Sequence, residues 1–167
     1  TSNQGSYVSN HTTNDYAMYN LTGGVATSYA CANCPAGTGP NGFIASGQGF
    51  MVEAQQNGTI YFDNSMRGTG TYNNTNFYRM APTVQNAPQA VKNRLWLNLT
   101  HENGFFSQQL IGYFDNATNG IDLGYDGIHT SRTNAVHFYS LIDQLTYRIQ
   151  GRAPFTTDDI VPLGFHT

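Results

Sequence analysis

Arg94-Leu-Trp-Leu-Asn-Leu-Thr100 places leucine at every second position, with Leu95, Leu97 and Leu99 on one side and Arg94, Trp96, Asn98 and Thr100 on the other. A period of two is the signature of a strand, because successive side chains point to opposite faces of the pleat. The single tryptophan falls opposite the leucines, so both sides of this strand carry apolar surface. Either both faces are covered, as in a packed sandwich, or Trp96 stands out as a platform; the covered arrangement is the expectation. His101-Glu-Asn-Gly104 then turns the chain into a second strand ending at Phe114, with Gln109 to Phe114 its clearest part. Downstream, Val136 to Leu141 and Leu145 to Gln150 form another pair joined tightly around Asp143-Gln144.

Upstream, Ile44-Ala-Ser-Gly-Gln-Gly-Phe-Met-Val-Glu-Ala54 is expected to be a strand bulged at Gly47 and Gly49. Asn57-Gly58 is a strong hairpin signal, and Thr59 to Phe62 the returning strand. Short strands are also expected at Tyr16 to Leu21, stopping at Gly23-Gly24, at Phe77 to Met80 and from Ile160 to the end. No amphipathic helix of useful length appears. The pattern predicts an all-β chain, a β-sandwich of jelly-roll type with antiparallel strands and long polar loops. Residues 1–15 carry no hydrophobic period and read as an exposed lead-in or a long loop, leaving 16–167 as one β-sandwich module, expected to be a portion of a larger one.

Composition narrows the function classes. Only 10% of the 167 residues are charged, against about a quarter on average, so the surface is polar but uncharged, a secreted style of composition. The 11 Tyr and 10 Phe favour strands and argue against disorder. Net charge is -3 and no basic run exists, which argues against nucleic acid as a partner. No stretch is apolar for long enough to insert in a membrane as a helix. Cys31 and Cys34 sit in a Gly/Pro-rich loop with no helix for redox chemistry and no second pair for zinc. A local disulfide between them is expected, with free thiols or metal and redox chemistry as alternatives.

Between the two strand pairs lies Gly112 to Gly127, where Asp115, Asn116, Asn119, Asp122 and Asp126 are interleaved with Gly120, Gly124 and Gly127. Hard cations take oxygens from such loops, and Asp115, Asp122 and Asp126 are the candidate ligands for calcium. The spacing is not that of an EF-hand and the terminal Glu is missing. The competing expectation is that these side chains cap turns through the chain's own amides. Tyr125 beside Asp126, with Asn119 nearby in the loop, is best placed to meet a sugar by stacking and hydrogen bonding; Trp96, Tyr29 and Tyr72 are weaker candidates, and tyrosines in so Tyr-rich a chain also serve packing. Glu53, Glu102, Asp143, Asp158 and Asp159 include no motif that selects a catalytic pair. No nucleophile elbow, His-Glu-x-x-His or phosphate-cradling loop is present, and the histidines are scattered singly. No enzyme is expected.

Several phrases carry a resemblance when taken together: Asn20-Leu-Thr-Gly-Gly24, Ile44-Ala-Ser-Gly-Gln-Gly-Phe50, Phe62-Asp-Asn-Ser-Met-Arg67, Arg94-Leu-Trp-Leu-Asn-Leu99, Asp115-Asn-Ala-Thr-Asn-Gly120, Gly124-Tyr-Asp-Gly127, Phe138-Tyr-Ser-Leu141, Ile149-Gln-Gly-Arg152 and Val161-Pro-Leu-Gly164. In this order they resemble a β-rich module near the C-termini of large adhesin-like surface proteins of gliding-type bacteria with type IX secretion, where it precedes a small sorting domain. The Cys31 to Cys34 insertion departs from that pattern. The resemblance implies a portion of a longer extracellular, cell-surface protein that serves adhesion or carbohydrate binding, with a glycan or cell-surface partner and passage through the type IX machinery. It leaves two alternatives: a spacer or secretion cargo without its own ligand, and an accessory module of a polysaccharide-degrading enzyme.

Overall fold

The computed structural model describes residues 17–26, 29–30, 39–54, 56–67, 93–102, 105–129 and 137–166. The expected lead-in 1–15, the Cys31 to Cys34 pair, Tyr72 and the strand at 77–80 lie outside them. Among the described residues there are two sheets. The small one pairs β1 (Met18–Tyr19) with β2 (Gly24–Val25). The large one holds β3 (Tyr29–Ala30), β4 (Asn93–His101), β5 (Phe105–Tyr113), β6 (Gly127–Ile128), β7 (His137–Ile142), β8 (Leu145–Arg152) and β9 (Leu163–His166). The only helical turn among the described residues is a 3-10 turn at Asn64–Met66, capped by Asp63. The chain is all-β, as the alternation predicts.

The alternation also places β4 against β5 in antiparallel register from Asn93↔Tyr113 to His101↔Phe105. Asp143 and Gln144 join β7 to β8 with φ +48° and +73°, the sign pattern of a type I′ hairpin turn. One pairing departs from the antiparallel expectation: β8 runs parallel to β5, from Leu110↔Ile149 to Tyr113↔Arg152. Tyr147 pairs with both Ser140 and Ile128, and Ile149 with both Leu110 and Gly127. One edge of β8 therefore pairs first with β7 and then with β5, while β6 holds the opposite edge. This exchange of partners curls the sheet.

Where the partner changes, Gln109 on β5 reaches the carbonyls of Tyr147 and Arg148. With its amide oriented to satisfy both ends, the nitrogen donates to Tyr147 O at 2.8 Å and Arg148 O at 3.0 Å, and the oxygen accepts from the Ser140 hydroxyl at 3.0 Å. Gln109 is fully buried. Leucine in its place keeps the volume but removes these bonds, including the one to the fully buried Ser140 hydroxyl, so Gln109→Leu is expected to cost about 1–3 kcal/mol, read as a lowered urea midpoint. An unchanged midpoint would refute the assignment.

The core lies between the sheets. Val25 of β2, Leu110 of β5 and Ile149 of β8 are fully buried against each other, with Met18 packed beside them. Each such side chain contributes about 1.5–3 kcal/mol, and this trio ties together three distant parts of the chain.

The expected hairpin around Asn57-Gly58 is not found. Residues 43–54 and 56–62 carry no strand, and Phe50, Met51, Val52, Ile60, Tyr61 and Phe62 are all exposed. Among the described residues, local β-propensity meets no sheet edge that accepts this segment's hydrogen bonds. What remains of the pairing is one edge-to-face contact between Phe50 and Phe62, with centroids 6.0 Å apart. Gly47 serves a β-turn instead of a bulge: Gln48 N–H donates to Ala45 O at 3.0 Å, with φ +79° at Gly47.

Two histidines that look unrelated in sequence meet beside β8. The His129 ring lies edge-on to buried His137 at 4.6 Å and 5.9 Å from the Tyr139 ring. Burial, then His137 and Arg148, lower the His129 pKa from 6.5 to about 4. The unfolded chain therefore takes up this proton at a higher pH than the folded one. Stability from this group is complete above pH 6.5 and falls as pH drops towards about 4. His129→Gln is expected to flatten that part of the curve in urea titrations; an unchanged slope would count against it.

Candidate functional site: the aspartate loop and its aromatic flank

The loop from Phe114 to Gly127 leaves β5 and enters β6, and of its aspartates Asp126 is buried, Asp122 half-buried and Asp115 exposed. Asp122 Oδ2 accepts from Thr118 N–H at 2.5 Å and from the Thr118 hydroxyl at 3.0 Å. Asp126 is only 4% exposed. Its Oδ2 accepts from Asp122 N–H at 2.6 Å and its Oδ1 from Gly151 N–H at 2.8 Å, clamping the loop to β8. Burial pushes the Asp126 pKa up, and the two amide bonds pull it down.

The small sheet grips the same loop from the other side. Tyr125 O accepts from Asn20 Nδ2 at 2.8 Å and the Thr22 hydroxyl at 2.6 Å, while Leu21 N–H donates to Gly124 O at 2.9 Å. Gly151 has to be glycine for this to close, because a Cβ there would lie 2.6 Å from Tyr125 Cβ. Asn119 Oδ1 accepts from Ala153 N–H at 3.3 Å. These partners lie tens of residues away.

An aromatic row flanks the loop. Trp96 shares a face with Leu110, its pairing partner on β5, and its Nε1–H donates to Gly24 O at 3.1 Å. It remains 46% exposed and Leu95 on the opposite face 50%, which corrects the covered expectation. The two-residue β2 is too short to cover a nine-residue strand. Two positions along, Arg94 lies over the Phe114 ring at 5.8 Å, and Phe114 meets the Tyr125 ring at 5.2 Å. Burial lowers the Arg94 pKa, with Tyr19 opposing.

Of the expected binding residues, Trp96 and Tyr125 thus belong to one row, through Arg94 and Phe114. Asn119 is exposed on the loop, and Asp126 is buried beneath it. Of the expected calcium ligands, Asp115 is exposed, while Asp122 and Asp126 bind the chain's own amides. Among the described residues, no three His, Cys, Asp or Glu form a group that could hold a metal. Arg94 and Phe114 were not singled out from sequence. The one available signal was that Arg94 shares the parity of Trp96 along β4.

Fold and site together define an all-β, sandwich-like domain with a hydrogen-bonded loop beside a half-open aromatic row. The chain belongs to a family described as a domain of unknown function (DUF8693), whose model matches residues 2–167. No curated protein and no solved structure matches it. Among the described residues no helix is long and apolar enough to cross a membrane.

Proposed function

We propose that this chain is a non-enzymatic extracellular recognition module that binds carbohydrate, carried by a surface protein exported through type IX secretion. The observation that carries the binding reading is Trp96, 46% exposed yet held by its indole N–H on Gly24 O. A ring fixed in position loses little entropy on stacking against the apolar face of a sugar. Polar groups stand next to it: Gln108 Nε2 donates to Asn98 Oδ1 at 2.9 Å on the same side of β4 and β5. The secretion route and surface location rest on the ordered sequence phrases alone.

A panel of immobilised glycans tests this. Retention on at least one glycan is expected, and Trp96→Ala should weaken it by at least about tenfold, equivalent to about 1.4 kcal/mol. Trp96→Phe, which keeps a ring, should lose less. The spacer reading is favoured by one observation, that Asp122 and Asp126 direct their oxygens to the chain's own amides. No retention on any glycan would favour the spacer over the binding module.

A further inference from the structure

The chain contains four Asn-Gly dipeptides, at Asn41, Asn57, Asn103 and Asn119, and the described ones meet different surroundings. From these we infer that Asn57 is a site of spontaneous covalent modification, an amide that converts to aspartate and isoaspartate while Asn119 in the aspartate loop is held back.

The reaction needs the next residue's backbone nitrogen as nucleophile. Gly58 N loses its proton and attacks Asn57 Cγ, a C–N bond forms, the Cγ–Nδ2 bond breaks, and the nitrogen leaves as ammonia. Water then opens the cyclic imide at either carbonyl. No oxidant or cofactor is involved. Glycine favours the attack because it has no side chain to crowd the approach.

At Asn57 both groups are available. Asn57 and Gly58 are exposed, and a Cβ built on Gly58 would meet nothing within 4 Å. Neither the Asn57 side chain nor the Gly58 N–H makes a hydrogen bond among the described residues. At Asn119 the equivalent nucleophile is engaged: Gly120 N–H donates to the Thr118 hydroxyl at 3.1 Å. That hydroxyl is itself held by Asp122 Oδ2 at 3.0 Å. Breaking one such bond before attack slows the reaction by about two- to tenfold. At Asn41 the amide that would be attacked is itself engaged, its Oδ1 accepting from Phe43 N–H at 3.1 Å.

The product matters because of where it forms. Asn57 stands between Met51–Val52 and Ile60-Tyr61-Phe62, all exposed. Conversion adds a carboxylate to this apolar arm, and the isoaspartate form also adds a backbone carbon.

The test is peptide mapping by mass spectrometry of the intact chain incubated at mildly alkaline pH. Conversion is expected first at Asn57, with Asn119 slower by about two- to tenfold. The same incubation in concentrated urea should bring the two rates together, because both sites are then bare Asn-Gly. Thr118→Val should raise the Asn119 rate towards that of Asn57. Equal rates in the folded chain, or Asn119 converting first, would overturn the inference; so would a rate difference that survives in urea, since it would owe nothing to the fold.

Discussion

Asp159→Ala is expected to remove about 3–5 kcal/mol of folding stability. Arg152 and Asp159 form a two-point ion pair with side chains only 6% and 9% exposed. Arg152 Nε donates to Asp159 Oδ2 at 2.8 Å, and Nη2 donates to Oδ1. The Tyr113 hydroxyl donates to the same Oδ2 at 3.0 Å. Removing the carboxylate leaves a guanidinium and a phenol without their acceptor in a site that water scarcely reaches, so the loss comes from the uncompensated cation more than from the missing attraction. Replacing both partners, as in Arg152→Met with Asp159→Leu, should therefore cost less than Asp159→Ala alone. A double variant less stable than the single one would refute the argument.

The same pair sets an acid limb. Hydrogen bonding from Arg152, ahead of other causes, holds the Asp159 carboxyl below its ordinary value of 3.8. A depressed carboxylate stabilises the fold above its unfolded pKa and loses that contribution as pH falls. Unfolding at low pH should accordingly be shallower in Asp159→Ala than in the parent. This limb begins below the His129 limb, so titration of both variants separates them.

How much of this was legible depends on how far each cause reaches along the chain. The β4–β5 pair follows from an alternation contained in seven residues, and the β7–β8 turn from its short link. The exposed arm around Asn57-Gly58 shows the limit of such local signals: turn chemistry and aromatic content both favour a hairpin, yet hairpin strands need a partner sheet. Gly23-Gly24 ends the first strand in the sequence pattern, yet Gly24 opens β2; it is glycine because a Cβ there would come within 2.0 Å of Pro40 O, a contact between segments sixteen residues apart. The parallel β5–β8 pairing and the role of Gln109 depend on two strands forty residues apart, which no window along the sequence contains. In the candidate site, the aspartates stood out by type and spacing. Their partners did not, because a backbone amide such as that of Gly151 carries no mark in the sequence.

Those partners decide what the loop can do, and Asp126 is where it can be measured. Asp126→Ala orphans two amides, those of Asp122 and Gly151, at about 1–3 kcal/mol each, so a loss of about 2–6 kcal/mol is expected. Asp126→Asn should lose less, because its carbonyl oxygen still accepts one of the two bonds while its NH₂ group faces the other donor. Asp115→Ala removes an exposed side chain for which the structure gives no hydrogen bond, and should stay within about 0.5 kcal/mol of the parent. Calcium separates the two readings of the loop. If its oxygens serve the chain's own amides, the Tm loss of Asp126→Ala is the same with calcium and with chelator, and Asp115→Ala is silent in both. If Asp115, Asp122 and Asp126 share a cation, calcium raises the Tm of the parent and Asp115→Ala abolishes the rise. Asp115 is the decisive position because nothing else in the described structure depends on it.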